Sequence, residues 1–126
     1  MKKILIIEDN PLNMKLASEI LRRSGYKVLE AGNATDGIRI AKEDQPAVIL
    51  MDIQLPGIDG LTATKMLKQD DLTKHIRVVA LTAFAMKGDE ERMIEAGCDG
   101  YVSKPIRYKE FLETVSSFYT GQVDGK

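Results

Sequence analysis

The sequence predicts an α/β domain built on an open parallel sheet with helices packed on both faces. Three observations carry that expectation. Short runs rich in branched apolar residues alternate with longer amphipathic stretches, and the alternation repeats five times over 126 residues. Three of the runs (Ile4-Leu5-Ile6-Ile7, Val48-Ile49-Leu50-Met51 and Val78-Val79-Ala80-Leu81) are apolar almost throughout, as strands covered on both sides should be. Strand followed by helix, repeated, implies right-handed crossovers and hence parallel pairing.

The elements follow in order. Lys3–Ile7 is the first strand. Pro11 then opens a helix, where its missing N–H costs nothing, and Gly25 closes it. Leu12, Leu16, Ile20 and Leu21 are expected to form its apolar face. Lys27–Ala31 is the second strand, and the mixed pattern of Tyr26-Lys27-Val28-Leu29-Glu30 suits the edge of a sheet. Ala47–Met51 and Arg77–Leu81 are the third and fourth strands. Lys87–Ala96 reads as a helix with Asp89, Glu90 and Glu91 near its start, where the helix dipole favours acids, and with Gly97 ending it. Gly100–Ser103 is the fifth strand. Tyr108, Phe111, Leu112, Val115 and Tyr119 then recur at helical spacing. The residues beyond are too polar and glycine-rich to pack, so one domain is expected over residues 1–120, with 121–126 a flexible tail. Five strands suggest a flavodoxin-like (βα)5 three-layer sandwich in the strand order 2-1-3-4-5. In such sheets ligands bind beyond the carboxyl ends of the strands, where the strand order reverses.

Composition narrows the partners. Apolar residues make up 44% of the chain, charged residues 29%, and the net charge is −1. No global positive field draws the chain to nucleic acid or to an anionic membrane, and no apolar run is long enough to span a bilayer. The apolar N-terminal run is too short for a secretory signal and is followed by acids, so a cytoplasmic location is expected. One cysteine and one histidine exclude an intramolecular disulfide and a structural zinc site. Cys98 is expected to fill space between a helix and a strand, and His75 to be a solvated loop residue.

The chemistry lies at the strand ends. The first strand ends in Glu8-Asp9, the third in Asp52, the fourth in Thr82 and the fifth in Ser103-Lys104-Pro105. Each residue alone has an ordinary explanation: Asp9 or Asn10 could cap the helix that Pro11 opens, Asp52 could be a turn acid, Thr82 a cap, and Lys104 a solvated lysine. Together they close four of five strands on the ligand-binding edge. Two carboxylates about 4 Å apart repel by roughly 4 kcal/mol at an effective dielectric of about 20. Three therefore need a cation among them, which Lys104 supplies in part and a hard divalent ion would complete. Magnesium suits a few carboxylates with waters and a phosphoryl group.

The segments Ile-Leu-Ile-Ile-Glu8-Asp9-Asn, Ile-Leu-Met-Asp52-Ile-Gln-Leu-Pro56-Gly57-Ile-Asp-Gly60, Ala-Leu-Thr82-Ala83 and Tyr101-Val-Ser-Lys104-Pro105 resemble the receiver (CheY-like) domains of two-component response regulators. The resemblance runs from the first strand to the last helix. The stretch Leu-Thr-Ala-Phe-Ala-Met-Lys-Gly-Asp-Glu-Glu-Arg is further similar to single-domain regulators of the DivK type, although receivers of hybrid histidine kinases carry like segments. The resemblance implies a phosphorelay switch rather than a turnover enzyme. Asp52 would accept a phosphoryl group from the phosphohistidine of a histidine kinase or a histidine phosphotransfer protein. Glu8, Asp9, Asp52 and the backbone carbonyl of Gln54 would hold Mg2+, for which Mn2+ can substitute. Lys104 and Thr82 would contact the phosphoryl oxygens, Ala83 would leave room for the donor, and the Lys104-Pro105 bond would be cis. Phosphorylation would draw Thr82 inward and let Tyr101 follow, reshaping the face made by the fourth helix, fifth strand and fifth helix for an unknown protein target. Tyr101 could instead be a core-edge aromatic. Gln54 and Phe84 would tune loss of the phosphate, unless Phe84 turns into a helix contact.

Other classes fit less well. A magnesium-dependent phosphatase with an aspartate nucleophile wants Asp-x-Asp, and Asp52-Ile53-Gln54 lacks the second acid. Neither glycine-rich nucleotide-binding pattern is present. A receiver fragment of a hybrid kinase or of a larger regulator remains the alternative to a stand-alone protein.

Overall fold

Strand and helix alternate along the chain without exception in the computed structural model, which describes residues 2–83 and 87–124. The order is β1 (Lys3–Ile7), α1 (Pro11–Arg23), β2 (Lys27–Ala31), α2 (Ala34–Asp44), β3 (Val48–Asp52), α3 (Gly60–Gln69), β4 (Arg77–Thr82), α4 (Lys87–Ala96), β5 (Gly100–Ser103) and α5 (Tyr108–Asp124). All pairings are parallel and the strand order is β2-β1-β3-β4-β5. This is the flavodoxin-like three-layer sandwich expected from the alternation.

Alternation within each strand divides the core into two halves. Ile4, Ile6, Leu50, Val79 and Leu81 face α1 and α5, where they meet Ala17, Leu21, Phe111 and Val115. Leu5, Ile7, Ile49, Met51 and Val78 face α2 and α3, against Ala34, Ala41, Ala63 and Leu67. Burying each large aliphatic side chain contributes about 1.5–3 kcal/mol, so the three central strands anchor both layers. Cys98 is half-buried against the second half of the core, and His75 is exposed.

Two details depart from the sequence reading. β3 and β4 run one residue further than expected, because Asp52 pairs with Leu81 and Thr82 with Ser103 in the ladder. Asp52 and Thr82 are thus the last rungs of the sheet, whereas Glu8, Asp9 and Lys104 lie just past the ends of β1 and β5. In α1 the expected apolar face is only half right: Ile20 and Leu21 are buried, but Leu12 is 78% exposed and Leu16 44% exposed. The helix instead presses the small Ala17 and Ser18 onto the sheet. Ser18 can be buried because its hydroxyl donates to Glu30 on β2 at 2.6 Å, and Arg22 pairs with the same carboxylate. That polar tie sets the rotation of the helix. At the far end of the chain, the α5 helix continues beyond the buried Tyr119 to Asp124.

Candidate functional site

Pairing of β1 with β3 brings Ile7 opposite Met51, so Glu8 and Asp52, the next residue along each strand, adjoin at the carboxyl end of the sheet. One carboxylate oxygen from each of Glu8, Asp9 and Asp52 lies within 4.8 Å of the others, a cluster that could hold a metal ion. Glu8 and Asp52 are only 2% and 3% exposed, whereas Asp9 opens to solvent. The cluster is a notch with two buried walls and one wet one.

Asn10 resolves which residue caps α1. Its side-chain oxygen accepts the N–H groups of Leu12 and Asn13 at 2.9 and 3.1 Å, satisfying two orphan donors of the first turn. Asp9 is thereby left for the notch. The Asn10 N–H donates to Glu8 Oε2 at 3.1 Å. Opposite, the Gln54 N–H donates to Asp52 Oδ1 at 3.0 Å. Lys104 reaches in from the end of β5, anchored by its own N–H on the Thr82 carbonyl at 2.7 Å. Its Nζ lies 3.2 Å from Glu8 Oε1 and 3.2 Å from Asp52 Oδ1. The Lys104–Pro105 peptide bond is cis.

One lysine does not balance this many acids. Burial foremost, then a hydrogen bond with Asp52 and its charge, push the Glu8 carboxyl up to about pKa 7, against the opposing pull of the Asn10 N–H and of Lys104. Among the described residues, Glu8 Oε1 is a buried oxygen that receives no directed hydrogen bond, despite the nearby ammonium. An orphaned buried acceptor is costly unless something absent from the protein atoms completes it. An oxygen-only donor set, two buried carboxylates and one exposed one fit a hard divalent cation that keeps part of its water shell.

Space for a larger group opens beside the notch. Thr82, 6% exposed, lines a cleft of about 300 Å3 with Gln54, Leu61 and Met93. Ala83 follows it at the surface, and Phe84 lies outside the described residues. Gly60, the first residue of α3, closes the turn after Asp52: a Cβ there would sit 2.2 Å from the Asp52 carbonyl oxygen. The same turn is held by the Gly60 N–H on the Ile53 carbonyl and by Asp59, which caps α3. Tyr101 is not in the notch. It stands 38% exposed on β5, its hydroxyl donating to Glu90 on α4 at 2.5 Å, and that carboxylate pushes the phenol pKa up.

The structure therefore gathers Glu8, Asp9, Asp52, Thr82 and Lys104 along one edge, with Gln54 beside Asp52. Sequence reasoning missed three supports: Asn10 as a donor to Glu8, Gly60 as a close-approach residue, and Glu90 as the acceptor for Tyr101. The Asp59-Gly60 pair at a helix start was the legible signal for the second. Nothing local in the sequence signals the third, since the pair is joined only by packing of α4 on β5.

A parallel sandwich whose strand ends converge on an acidic notch flanked by a hydroxyl and an amine is the build of a signalling receiver module. The chain matches the response regulator receiver domain over residues 4–116 and belongs to that family, the phosphoacceptor switches of two-component signalling. Within it, the polar-differentiation response regulator DivK of Brucella anthropi is 50% identical over 117 residues, covering 93% of this chain and 95% of that protein. The protein of the same name from Brucella ovis is 49% identical over the same length. Among solved structures, the receiver domain of a sensor histidine kinase from Pseudomonas aeruginosa PAO1, which has a magnesium ion coordinated in its active-site cleft, superposes with a TM-score of 0.86 at 32% identity, covering 93% of this chain and 96% of that one. A CheY-like receiver from Methanospirillum hungatei gives a TM-score of 0.91 at 25% identity, covering 100% and 99%. No helix among the described residues is long and apolar enough to cross a membrane.

Proposed function

We propose that this DivK-like receiver is a cytoplasmic phosphorelay switch that takes a phosphoryl group onto Asp52 and signals through altered protein binding. The observation that carries this reading is the buried Asp52 carboxylate, held between the Lys104 ammonium and the Glu8–Asp9 pair with a cleft at its side. The donor is a phosphohistidine on a histidine kinase or a phosphotransfer protein. An Asp52 oxygen forms the new O–P bond as the N–P bond breaks, and the imidazole leaves with the electron pair. Such a transfer needs in-line positioning and neutralised charge more than covalent help.

Glu8, Asp9, Asp52 and the Gln54 carbonyl are the proposed ligands for Mg2+, with Mn2+ as a substitute; bound there, the cation would neutralise phosphoryl oxygens. Lys104 supplies a fixed positive charge to the same oxygens, and the Thr82 hydroxyl a donor. Ala83 leaves the approach open, and Gln54 with Phe84 tunes how readily water removes the phosphate, a reaction limited to the domain's own modification. The aspartyl phosphate adds about two negative charges. Two or three charge-assisted hydrogen bonds at roughly 1.5–3 kcal/mol each approach the roughly 5.5 kcal/mol that swings a two-state equilibrium from 1:99 to 99:1. Thr82 moving inward then lets Tyr101 leave its outward position and reshape the α4-β5-α5 face. The switching unit spans residues 1–120, with 121–126 outside it, and the match takes in 95% of the length of the Brucella anthropi regulator.

Incubation with phosphoramidate, with and without magnesium, followed by intact mass measurement tests this. One magnesium-dependent phosphoryl adduct is expected, and none in Asp52→Asn. An adduct that survives in Asp52→Asn, or steady turnover of added phosphoesters, would overturn the assignment.

A further inference from the structure

The cleft beside Thr82 has apolar walls and a charged edge. Ile53, Leu61 and Met93 line its volume of about 300 Å3. Gln54 and Thr82, which also line it, connect it to Asp52: the Gln54 N–H donates to Asp52 Oδ1 at 3.0 Å, and Thr82 follows Leu81, the ladder partner of Asp52. Asp59, Asp89 and Arg92 complete the lining, and among the described residues Arg92 is its one cation. Both acids are engaged. Asp59 Oδ1 accepts the Thr62 N–H at 2.8 Å as the cap of α3. Asp89 Oδ1 lies 3.6 Å from Arg92 Nη1, one turn along α4. That pairing is long and wet, with the Arg92 side chain 68% exposed, so it holds the guanidinium weakly. Arg92 also lines a second cleft of about 280 Å3 between α3 and α4, which leaves it room to swing.

We propose that Arg92 is a specificity residue for the phosphoryl donor, favouring acyl phosphates, whose leaving group departs as a carboxylate. The inference rests on Asp52 being the phosphoacceptor. As an Asp52 oxygen forms the new O–P bond, the P–O bond to the acyl group breaks and the carboxylate leaves with the electron pair. In-line transfer puts the leaving group on the side away from the attacking oxygen, and the cleft is the open space into which Gln54 and Thr82 lead. Its apolar walls suit the short alkyl part of a donor such as acetyl phosphate. A planar guanidinium at its edge matches the departing carboxylate with two parallel hydrogen bonds. Phosphoramidate gains nothing from that contact, because its nitrogen departs as neutral ammonia and no anion forms on the leaving group. Lys104 does not make this distinction: it stands 3.2 Å from both Glu8 and Asp52, where it serves the phosphoryl group common to all donors.

Uptake rates from acetyl phosphate and from phosphoramidate, both with magnesium, are measured by timed intact mass on the wild type and on Arg92→Gln, Arg92→Lys and Asp89→Asn. The ratio of the acetyl phosphate rate to the phosphoramidate rate is expected to fall about fivefold in Arg92→Gln and to recover in part in Arg92→Lys. It should rise about twofold in Asp89→Asn, where the guanidinium loses its competitor. Because the contact is exposed, raising salt from about 0.05 to about 0.5 M should erode the ratio of the wild type more than that of Arg92→Gln. An unchanged ratio in Arg92→Gln, with adducts forming from both donors, would overturn this inference alone. Absence of an adduct from either donor in the wild type would overturn the Asp52 assignment, and this inference with it.

Discussion

The two ends of the sheet treat charge in opposite ways. At the amino end, where β4 and β5 begin, Lys68 donates to the Ile76 carbonyl at 2.8 Å and to Asp99 at 2.9 Å, and Asp99 also accepts the Val78 N–H. One base meets one acid, and the remaining polar atoms are backbone groups. At the carboxyl end, Glu8 and Asp52 share a single lysine with Asp9 beside them, and one Glu8 oxygen receives no directed hydrogen bond. The first arrangement ties α3 to the sheet. The second holds unbalanced charge in place, which costs stability and leaves a site that fits a cation.

That contrast can be broken from either side. The largest effect is expected at Lys104, the only cation in contact with both buried acids among the described residues. Lys104→Met should slow phosphoryl uptake from phosphoramidate by roughly two to three orders of magnitude, the usual loss when a fixed electrostatic contact to the reacting group is removed; stopped-flow or timed mass spectra would measure it. A rate within a few fold of wild type would mean that Lys104 only packs.

Next comes pH. Glu8 is raised from its ordinary 4.5 to about 7 in the fold, so the folded protein holds this proton more tightly than the unfolded chain. Its contribution to stability is present below about pH 4.5 and lost as pH rises through about 7. Denaturant melts of the metal-free protein should therefore weaken between pH 5 and 8, by about 3 kcal/mol at most. Millimolar magnesium should flatten that slope, because a bound cation takes over from the proton. A metal-free stability that rises over this range would show that Glu8 is stabilised as an anion by its neighbours.

The smallest effect is expected at the balanced end. Lys68→Met takes the base away from the exposed Asp99 and should cost about 1 kcal/mol in a urea melt, with phosphoryl uptake unchanged. Loss of uptake in that variant would mean that the two ends are coupled.

How far the sequence revealed this follows from which signals are local. The central strands were legible because their apolar runs are continuous; alternation implied parallel pairing, and the count of five strands suggested the order that the sheet shows. The notch residues were legible because each closes a strand, and parallel pairing puts all strand ends on one edge. The orientation of α1 was not legible: Leu12 and Leu16 satisfy helical spacing, but Ser18 turns the helix by bonding to Glu30 on a different element. The partner of Tyr101 was hidden for the same reason, since Glu90 reaches it only once α4 lies against β5. Hydrophobic periodicity reports which segments are helices; polar ties between elements decide how they are turned.

Glu8, Asp9 and Asp52 make the carboxyl edge of the sheet a candidate cation site. Calorimetric titration of the wild-type protein with magnesium at pH 7.5 tests it most directly. One ion per chain is expected, with affinity at least tenfold weaker in Asp9→Asn, where the fold keeps its Asn10 cap. No binding by the wild type, or an unchanged affinity in the variant, would contradict it.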